Sequence, residues 1–545
     1  MEKRLFLAAA LSLGVLLAWE WLVPKPAVKP APRPAAVPTM PVPNASAATA
    51  PATDGVAGNV KELLPPPVAA ASEETSQVEN GLIRATISNR GGVMTSFVLL
   101  RHTDDQKKPL ELLRQVPSPA PRTLSLEFPG RPDLTARVSQ ALFAVEKEGN
   151  RILRMRYADD QIAVTKEIRI EAGYLFDVKI KVTGPAYFLM VGTGLRNPTD
   201  EELASRYFTP AAALARTGGS FARVRADKIE KPIVWPLDQK GFAGLEDNYF
   251  LAVLIPREPT SAEAEPVAFK DGSGKPLPLV AAGVAGSGTL EASAYFGPKD
   301  VEILESLNVG LEKTVDFGWF GVLARPLLWL LKRTYVWCGN FGVAILLVTL
   351  LLRLLLFPLL YKSYASMKKM QKLAPKMNAI RDKYKKARSD AAQRQKMNDE
   401  LMKLYQAEGY NPMSGCLPII LQLPILVAFY NVLSHSIELR HAPFVLWIRD
   451  LSAADHTYVL LILMIVSMYV QQAMTPTTAD PTQKKIFQFM PLLWGFLFKD
   501  MPSGLVLYWL FSNILTILQQ MLINRMGEGD QPKIEKPARI KTARA

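Results

Sequence analysis

Residues 341–361 read FGVAILLVTLLLRLLLFPLLY, an apolar run carrying one charge, Arg353. As a helix rising about 1.5 Å per residue, the run is roughly 30 Å long and matches the hydrocarbon core of a bilayer. Arg353 then lies roughly 12 Å from Tyr361, inside the core rather than at its rim. Facing lipid there, an arginine costs about 3 kcal/mol or more. Two readings answer that cost: the side chain snorkels to the interface, or it faces a hydrated cavity inside a bundle. Thr349 stands one turn before it.

Outward from this run, the chain holds four more apolar stretches, Gly415–Leu433, Tyr458–Ala473, Ile486–Phe498 and Gly504–Ile523. Two of them are shorter than the usual span, which fits tilted neighbours or a thin bilayer, with core helices the alternative. At the other end, Lys3 and Arg4 precede an apolar run of about 19 residues. Trp19-Glu20-Trp21 occupies the place of a small-residue cleavage site, so residues 1–23 read as a retained signal anchor, with a removed signal peptide as the alternative. No Cys follows the run, which excludes a lipoprotein anchor. The expected total is about six spans, a five-helix core plus the anchor.

Residues 24–76 are rich in Pro and Ala and read as an extended linker. Residues 77–311 change to short alternating stretches. Ile83, Ala85 and Ile87 alternate with Arg84, Thr86 and Ser88 before a turn at Asn89-Arg90-Gly91-Gly92, and Ile168, Ile170, Phe176, Val178, Ile180 and Val182 recur at period two. That period marks half-buried antiparallel strands, and about 230 residues of it predict one all-β sandwich domain. The pattern contains no convincing helix until its end.

Charge orients the chain. Of 545 residues, 64 are Lys or Arg and 50 are Asp or Glu, a net charge of +14. The excess concentrates in residues 362–412, which include Lys368, Lys369, Lys372, Lys376, Arg381, Lys383, Lys385 and Lys386, and in the tail 525–545. The positive-inside rule puts both regions and the N-terminus in the cytoplasm and the β domain outside, in a Gram-negative periplasm. Met367, Met370, Leu373, Met377 and Ile380 recur at helical spacing, as do Met397, Leu401, Leu404 and Tyr405, with Ser389-Asp390 between them. A cytoplasmic hairpin of two antiparallel helices is the expectation. Its charges are either a solvated face or a contact for anionic lipid, ribosomal RNA or acidic proteins. Residues 317–333, with Phe317, Trp319, Phe320 and several Leu beside Arg325, Lys332 and Arg333, read as an interfacial amphipathic helix; a buried packing helix is the alternative.

Signatures of catalysis are poor. The four histidines do not cluster at metal-ligand spacing, and no P-loop or nucleophile elbow occurs. Nucleotide hydrolysis, a cofactor and a metal are not expected. Cys338 and Cys416 fall near opposite faces of the bilayer and are not expected to pair. Neutral polar residues are better placed: Gln422 in the third span, and Tyr508, Ser512, Thr516 and Gln519 on one face of the last. They act either as interhelical glue or, with Arg353, as the lining of a wet, positive groove. The last five spans contain no Asp or Glu, which counts against a proton-coupled transporter. A channel or solute transporter and a purely structural assembly scaffold are the other classes to weigh.

Several motifs resemble the YidC/Oxa-type membrane protein insertases. They are Asn340-Phe341-Gly342, Arg353 followed by Phe357-Pro358, Ser366-Met367-Lys368-Lys369-Met370, Tyr410-Asn411-Pro412, Gly415-Cys416-Leu417-Pro418, Gln422-Leu423-Pro424, Pro476-Thr477-Thr478 before Asp480-Pro481, Phe489-Met490-Pro491 and Pro502-Ser503-Gly504-Leu505-Val506-Leu507-Tyr508-Trp509. The match is dense from Phe317 to about Ile523, whereas the anchor, linker and β domain match the Gram-negative form by architecture. The resemblance implies an α-helical polytopic inner-membrane bundle with a periplasmic β-sandwich, inserting nascent membrane proteins alone or beside the Sec translocon. It implies a groove closed toward the periplasm that holds Arg353, and a hairpin that recruits substrates. One departure is Trp509, where the Gram-negative form would have a second tyrosine.

Overall fold

The computed structural model describes residues 64–117, 120–198, 202, 210–270, 274, 276–384, 390–408, 417–474 and 481–527. The expected N-terminal anchor, most of the linker, Cys416 and all of the tail beyond Gly527 lie outside the described residues. The chain divides into two compact units that meet near Asp316 and Phe317 in the sequence, and each is described by itself.

The first unit is built of antiparallel sheets. Its nine-stranded sheet runs, in spatial order, Ser220–Arg225, Ala212–Thr217, Ala243–Glu246, Phe250–Pro256, Thr289–Pro298, Leu175–Thr183, Ala163–Ile170, Ile152–Ala158 and Ala144–Glu148. A five-stranded sheet orders Ile233–Leu237, Thr260–Lys270, Pro276–Gly286, Tyr187–Thr193 and Leu126–Glu127, and a four-stranded one orders Thr75–Glu79, Ile83–Ser88, Val93–Thr103 and Pro109–Glu111. The period-two residues are the buried ones: Ile83, Ala85, Ile87, Ile168, Ile170, Phe176, Val178, Ile180 and Val182 all point into the core. Between the sheets Phe97 meets Phe176 and Phe296, with ring centroids 5.8 and 5.4 Å apart, in the tilted and edge-on geometries aromatic pairs prefer.

One expectation is corrected here. A helix, α1 (Pro132–Gln140), interrupts the strands, with Pro near its first turn. Only Leu134 and Val138 of it are buried, so its apolar stripe is a single i, i+4 pair, too short to register as helical periodicity. A second short helix, α2 (Val301–Ser306), closes the unit, capped by the Asp300 carboxylate accepting from the Glu302 and Ile303 amides.

Lys166 is wholly buried among these sheets. Its Nζ donates to the carbonyls of Gly91 (2.8 Å), Gly92 (3.0 Å) and Leu124 (2.7 Å) and lies 5.4 Å from the Phe143 ring centre. The ammonium thus ties the turn at 91–92 and the approach to the strand Leu126–Glu127 onto one strand of the large sheet.

The second unit is helical: α3 (Gly321–Cys338), α4 (Phe341–Lys383), α5 (Ala391–Ala407), α6 (Leu417–His435), α7 (Val459–Met474), α8 (Pro481–Phe498) and α9 (Ser503–Gly527). Two segments are long and apolar enough to cross a membrane, Phe341–Tyr361 and Ser503–Ile523, and three shorter apolar helices accompany them, Leu421–His435, Val459–Met474 and Phe487–Phe498. The boundary expected at residue 361 is not a helix end. α4 continues through Pro358 and Pro375 to Lys383, so the second apolar run and the first arm of the basic hairpin are one helix. α5 folds back against it, capped by Asp390, around buried Leu373, Met377 and Leu401 with Ile380, Met397, Leu404 and Tyr405 against them. Lys376 pairs with Glu408 at 2.7 Å and Lys383 with Glu400 at 2.9 Å, so the two arms are antiparallel.

α3 reaches beyond the expected 317–333, to Cys338, where Gly339 takes the left-handed conformation that ends it. Ala324, Leu327, Leu328 and Leu331 are its buried stripe, while Trp319 and Trp337 are 91% and 90% exposed.

Lys166 makes a pH prediction. Burial lowers its pKa from the usual lysine value to about 7. Between about pH 7 and 10 the unfolded chain then holds the proton that the folded one has lost, so stability should rise with pH by up to about 1.4 kcal/mol per unit. Thermal unfolding of the wild type and Lys166→Met from pH 6.5 to 9.5 should show the wild type gaining on the variant as pH rises. Parallel curves would refute the assignment.

Candidate functional site

The N-terminal end of α4 is fixed by its own motif. Asn340 caps the helix, its Oδ1 accepting from the Val343 amide at 3.1 Å, and its Nδ2 donates to the Phe444 carbonyl at 3.0 Å. Gly342 leaves space where the Phe444 ring lies, and any Cβ there would collide with that ring. α4 is thereby set in angle and rotation. Ala344, Ile345, Val348 and Thr349 are buried, while Leu347, Leu351, Leu354 and Leu355 are exposed. Arg353 follows Ile345 and Thr349 at four-residue intervals and so stands on the inward face.

There it meets α9. Arg353 Nε donates to the Ser512 hydroxyl at 3.1 Å, and its Nη2 donates to the same oxygen. Gln422 of α6 donates from Nε2 to Ser512 at 3.2 Å and also to the Tyr508 hydroxyl. Tyr508 is 2% exposed and stacks on Phe429 of α6 with centroids 4.2 Å apart. Arg353 of α4 and Gln422 of α6 therefore meet on the Ser512 hydroxyl of α9, and Gln422 joins Tyr508 to them, so four of the expected residues form one cluster from three helices. Arg353 is only partly buried. Chemically the arrangement can hold a negative group or a row of polar atoms, and it presents no base positioned against a nucleophile.

The other four candidates are turned elsewhere. Thr349 donates to the Ile345 carbonyl (2.6 Å) and Thr516 to the Ser512 carbonyl (2.8 Å), so both hydroxyls are satisfied inside their own helices. Trp509 lies against Trp494 and Phe498 of α8, each 5.4 Å away by ring centroids, and its buried indole N–H has no hydrogen-bond partner among the described residues. Gln519 is half-buried, and its Oε1 likewise has none there.

A second polar contact was not anticipated. Asn513 donates to Ser467 of α7 at 2.9 Å, and Gln520 donates to the Met474 carbonyl at 2.7 Å. Asn513 and Gln520 are seven residues apart, a spacing that could have flagged a second polar stripe on α9.

Of the expected recruitment residues, Lys376 and Lys383 are exposed and paired with Glu408 and Glu400, and Arg381 is partly exposed. Lys368, Lys369 and Lys372 lie on α4, and Lys385 and Lys386 lie outside the described residues. Among the described residues no group of three or more His, Cys, Asp and Glu could hold a metal ion. Cys338 is a free thiol donating to the Asn340 carbonyl.

Comparison with known proteins follows these two units. Residues 333–530 match the family model for the 60Kd inner membrane protein, and residues 75–330 match that for the YidC periplasmic domain. The chain is similar to the membrane protein insertase YidC of Citrifermentans bemidjiense, 34% identical over 96% of this chain and 99% of the relative. It is similar also to that of Syntrophus aciditrophicus, 35% identical over 97% of this chain and all of the relative. Among solved structures, an active YidC insertase with its first transmembrane domain resolved aligns over 84% of this chain and 95% of its own, at 20% identity and a TM-score of 0.37.

The site predicts an energetic coupling. Gln422→Leu and Ser512→Ala each remove an end of the same hydrogen bond, so a double-mutant cycle should give a coupling of about 1 kcal/mol. Unfolding free energies measured in detergent check it; strictly additive values would mean the two side chains do not bond.

Proposed function

The chain belongs to the YidC family of membrane protein insertases, and from that premise we propose that it inserts small or Sec-delivered inner-membrane proteins through a groove centred on Arg353. The observation that carries this reading is the direction of Arg353: hydrogen-bonded to Ser512 across the helical unit, on the inward face of α4. The sequence puts no Asp or Glu in the five apolar runs, so the groove has net positive charge.

The mechanism needs no nucleotide. A short membrane protein must carry a polar, often acidic, tail across hydrocarbon. A hydrated groove shortens the dry path, and the guanidinium offers the tail a transient opposite charge in a medium where such a pair is stronger than in water. Ser512, itself bonded by Gln422, holds the guanidinium in place between substrates. The apolar helix of the substrate then leaves sideways into lipid, driven by burial of its side chains at about 25 cal/mol per Å². Arg353 acts as a docking charge and transfers no proton.

The rest of the chain is read around that step. The positive-inside rule supports both termini and the basic hairpin in the cytoplasm, with the β unit in the periplasm. We read Lys368, Lys369, Lys372, Lys376, Arg381, Lys383, Lys385 and Lys386 as the residues that recruit nascent chains, ribosomes or anionic lipid; of these Lys376 and Lys383 are exposed and Arg381 partly so. The exposed Trp319 and Trp337 support α3 lying in the headgroup layer.

The test is reconstitution of the purified protein alone in liposomes with a two-span substrate, read by protease protection. Arg353→Ala should reduce protection about tenfold or more, a loss of at least about 1.4 kcal/mol, while Arg353→Lys retains part of it, because a point charge still docks the tail. Protection unchanged in both variants would end the docking role, and none by the wild type in vesicles holding folded protein would leave translocon-dependent assembly.

A further inference from the structure

A cavity of about 120 Å³ opens in the β unit, where the four-stranded sheet meets the end of the strand Tyr187–Thr193. Its walls are tied together by the main chain. The Met94 amide donates to the Thr123 carbonyl at 2.9 Å, Leu113 bridges to Leu195, and the Gly194 amide donates to the Val280 carbonyl at 3.0 Å. Thr193 adds a side-chain tie to the Pro121 carbonyl at 2.9 Å. A wall held by several such bonds keeps its shape when empty, which is what a preformed site requires.

The charges around the cavity are all of one sign. Arg114 and Arg122 line it, and among the described residues no carboxylate does. Arg114 is half-buried; its Nε is shut off from solvent and has no hydrogen-bond partner among the described residues, and its guanidinium carbon lies 5.5 Å from the centre of the Phe269 ring. Burial and the neighbouring charge of Arg196 both push its pKa down. Arg196 offers no relief, being bonded to Asp247 and Glu202. Arg122 is exposed; Glu73 lies in its field but is itself paired with Arg90 at 2.9 Å.

Room has been made for the Arg114 side chain. Gly194 takes the left-handed conformation with φ of 68°, and a Cβ there would stand 3.1 Å from Arg114 Cδ. A side chain at 194 would push the arginine stem out of the position from which it faces the cavity. Half-buried and paired with no carboxylate among the described residues, Arg114 lines the pocket beside Arg122, so two positive charges border one space. An anion entering it would meet both charges.

We propose that this cavity is a binding site for a small, freely diffusing oxyanion, a carboxylate or phosphate, clasped between Arg114 and Arg122. The planar fork of arginine matches two oxygens of either group. The volume is well below the roughly 300–1,000 Å³ of sites that enclose larger ligands, so the bound species has few atoms beyond the charged group. This inference is independent of the insertion mechanism, since its residues all belong to the β unit.

The full-length protein, in nanodiscs of zwitterionic lipid at low chloride, is titrated calorimetrically with inorganic phosphate and separately with acetate. At least one should bind saturably at one site per chain, and the stronger of the two identifies the oxyanion class. Arg114→Gln and Arg122→Gln should each weaken that binding about tenfold or more. Arg122 is exposed, so its variant keeps the fold, which a thermal melt verifies. Absence of saturation by either anion up to about 10 mM, or binding that survives in both variants, would overturn the proposal.

Discussion

A guanidinium two turns inside an apolar helix has to be solvated by something, and the helical unit is arranged around supplying it. Arg353 meets the Ser512 hydroxyl, and Gln422 meets both Ser512 and Tyr508, only if α6 and α9 both lie against the inward face of α4. That demand explains the cap and clamp at Asn340 and the bare backbone at Gly342, since a small rotation of α4 would swing the charge toward Leu354 and Leu355 on the exposed side. The partner that α9 supplies is the neutral Ser512 hydroxyl, which holds the side chain without cancelling its charge.

The β unit meets the same problem with different material. Lys166 is fully buried and solvated by three main-chain carbonyls. The carbonyl triad closes off the Lys166 amino group, whereas Arg353 is only partly buried. The distinction lies in what remains uncovered.

α9 carries the other constraint. It bonds Arg353 and Gln422 through Ser512, meets α7 through Asn513 and Gln520, and lays Trp509 against Trp494 and Phe498 of α8. Residues 508 and 512, one turn apart, share Gln422 of α6, while 509 faces α8 and 513 faces α7, as a helix at 100° per residue dictates. A tyrosine in place of Trp509 would therefore add a hydroxyl beside α8, away from the Arg353 cluster.

Much of this was legible in the residues alone. Period two in Ile83, Ala85 and Ile87 named the buried faces of strands, and the heptad-like Met and Leu of residues 367–405 named the hairpin that packs around Met377. The apolar run with one arginine marked a helix long enough to cross a membrane and left two directions for the charge, of which the packing against α9 favours the inward one. These signals are local, because burying one face of a helix or strand imposes a period on adjacent residues. α1 escaped because two buried residues make no period, and α4 ran through Pro358 and on past Tyr361 because the end of an apolar run ends a span and not a helix. Which polar residues share a site was beyond the sequence. Thr349 and Thr516 looked equal to Ser512 in the pattern, yet they bond within their own helices, while Arg353 and Ser512 meet across 159 residues of chain and Gln422 and Tyr508 across 86. A hydroxyl on a helix can satisfy itself on its own backbone or on a neighbour, and only the packing of the neighbour decides between them.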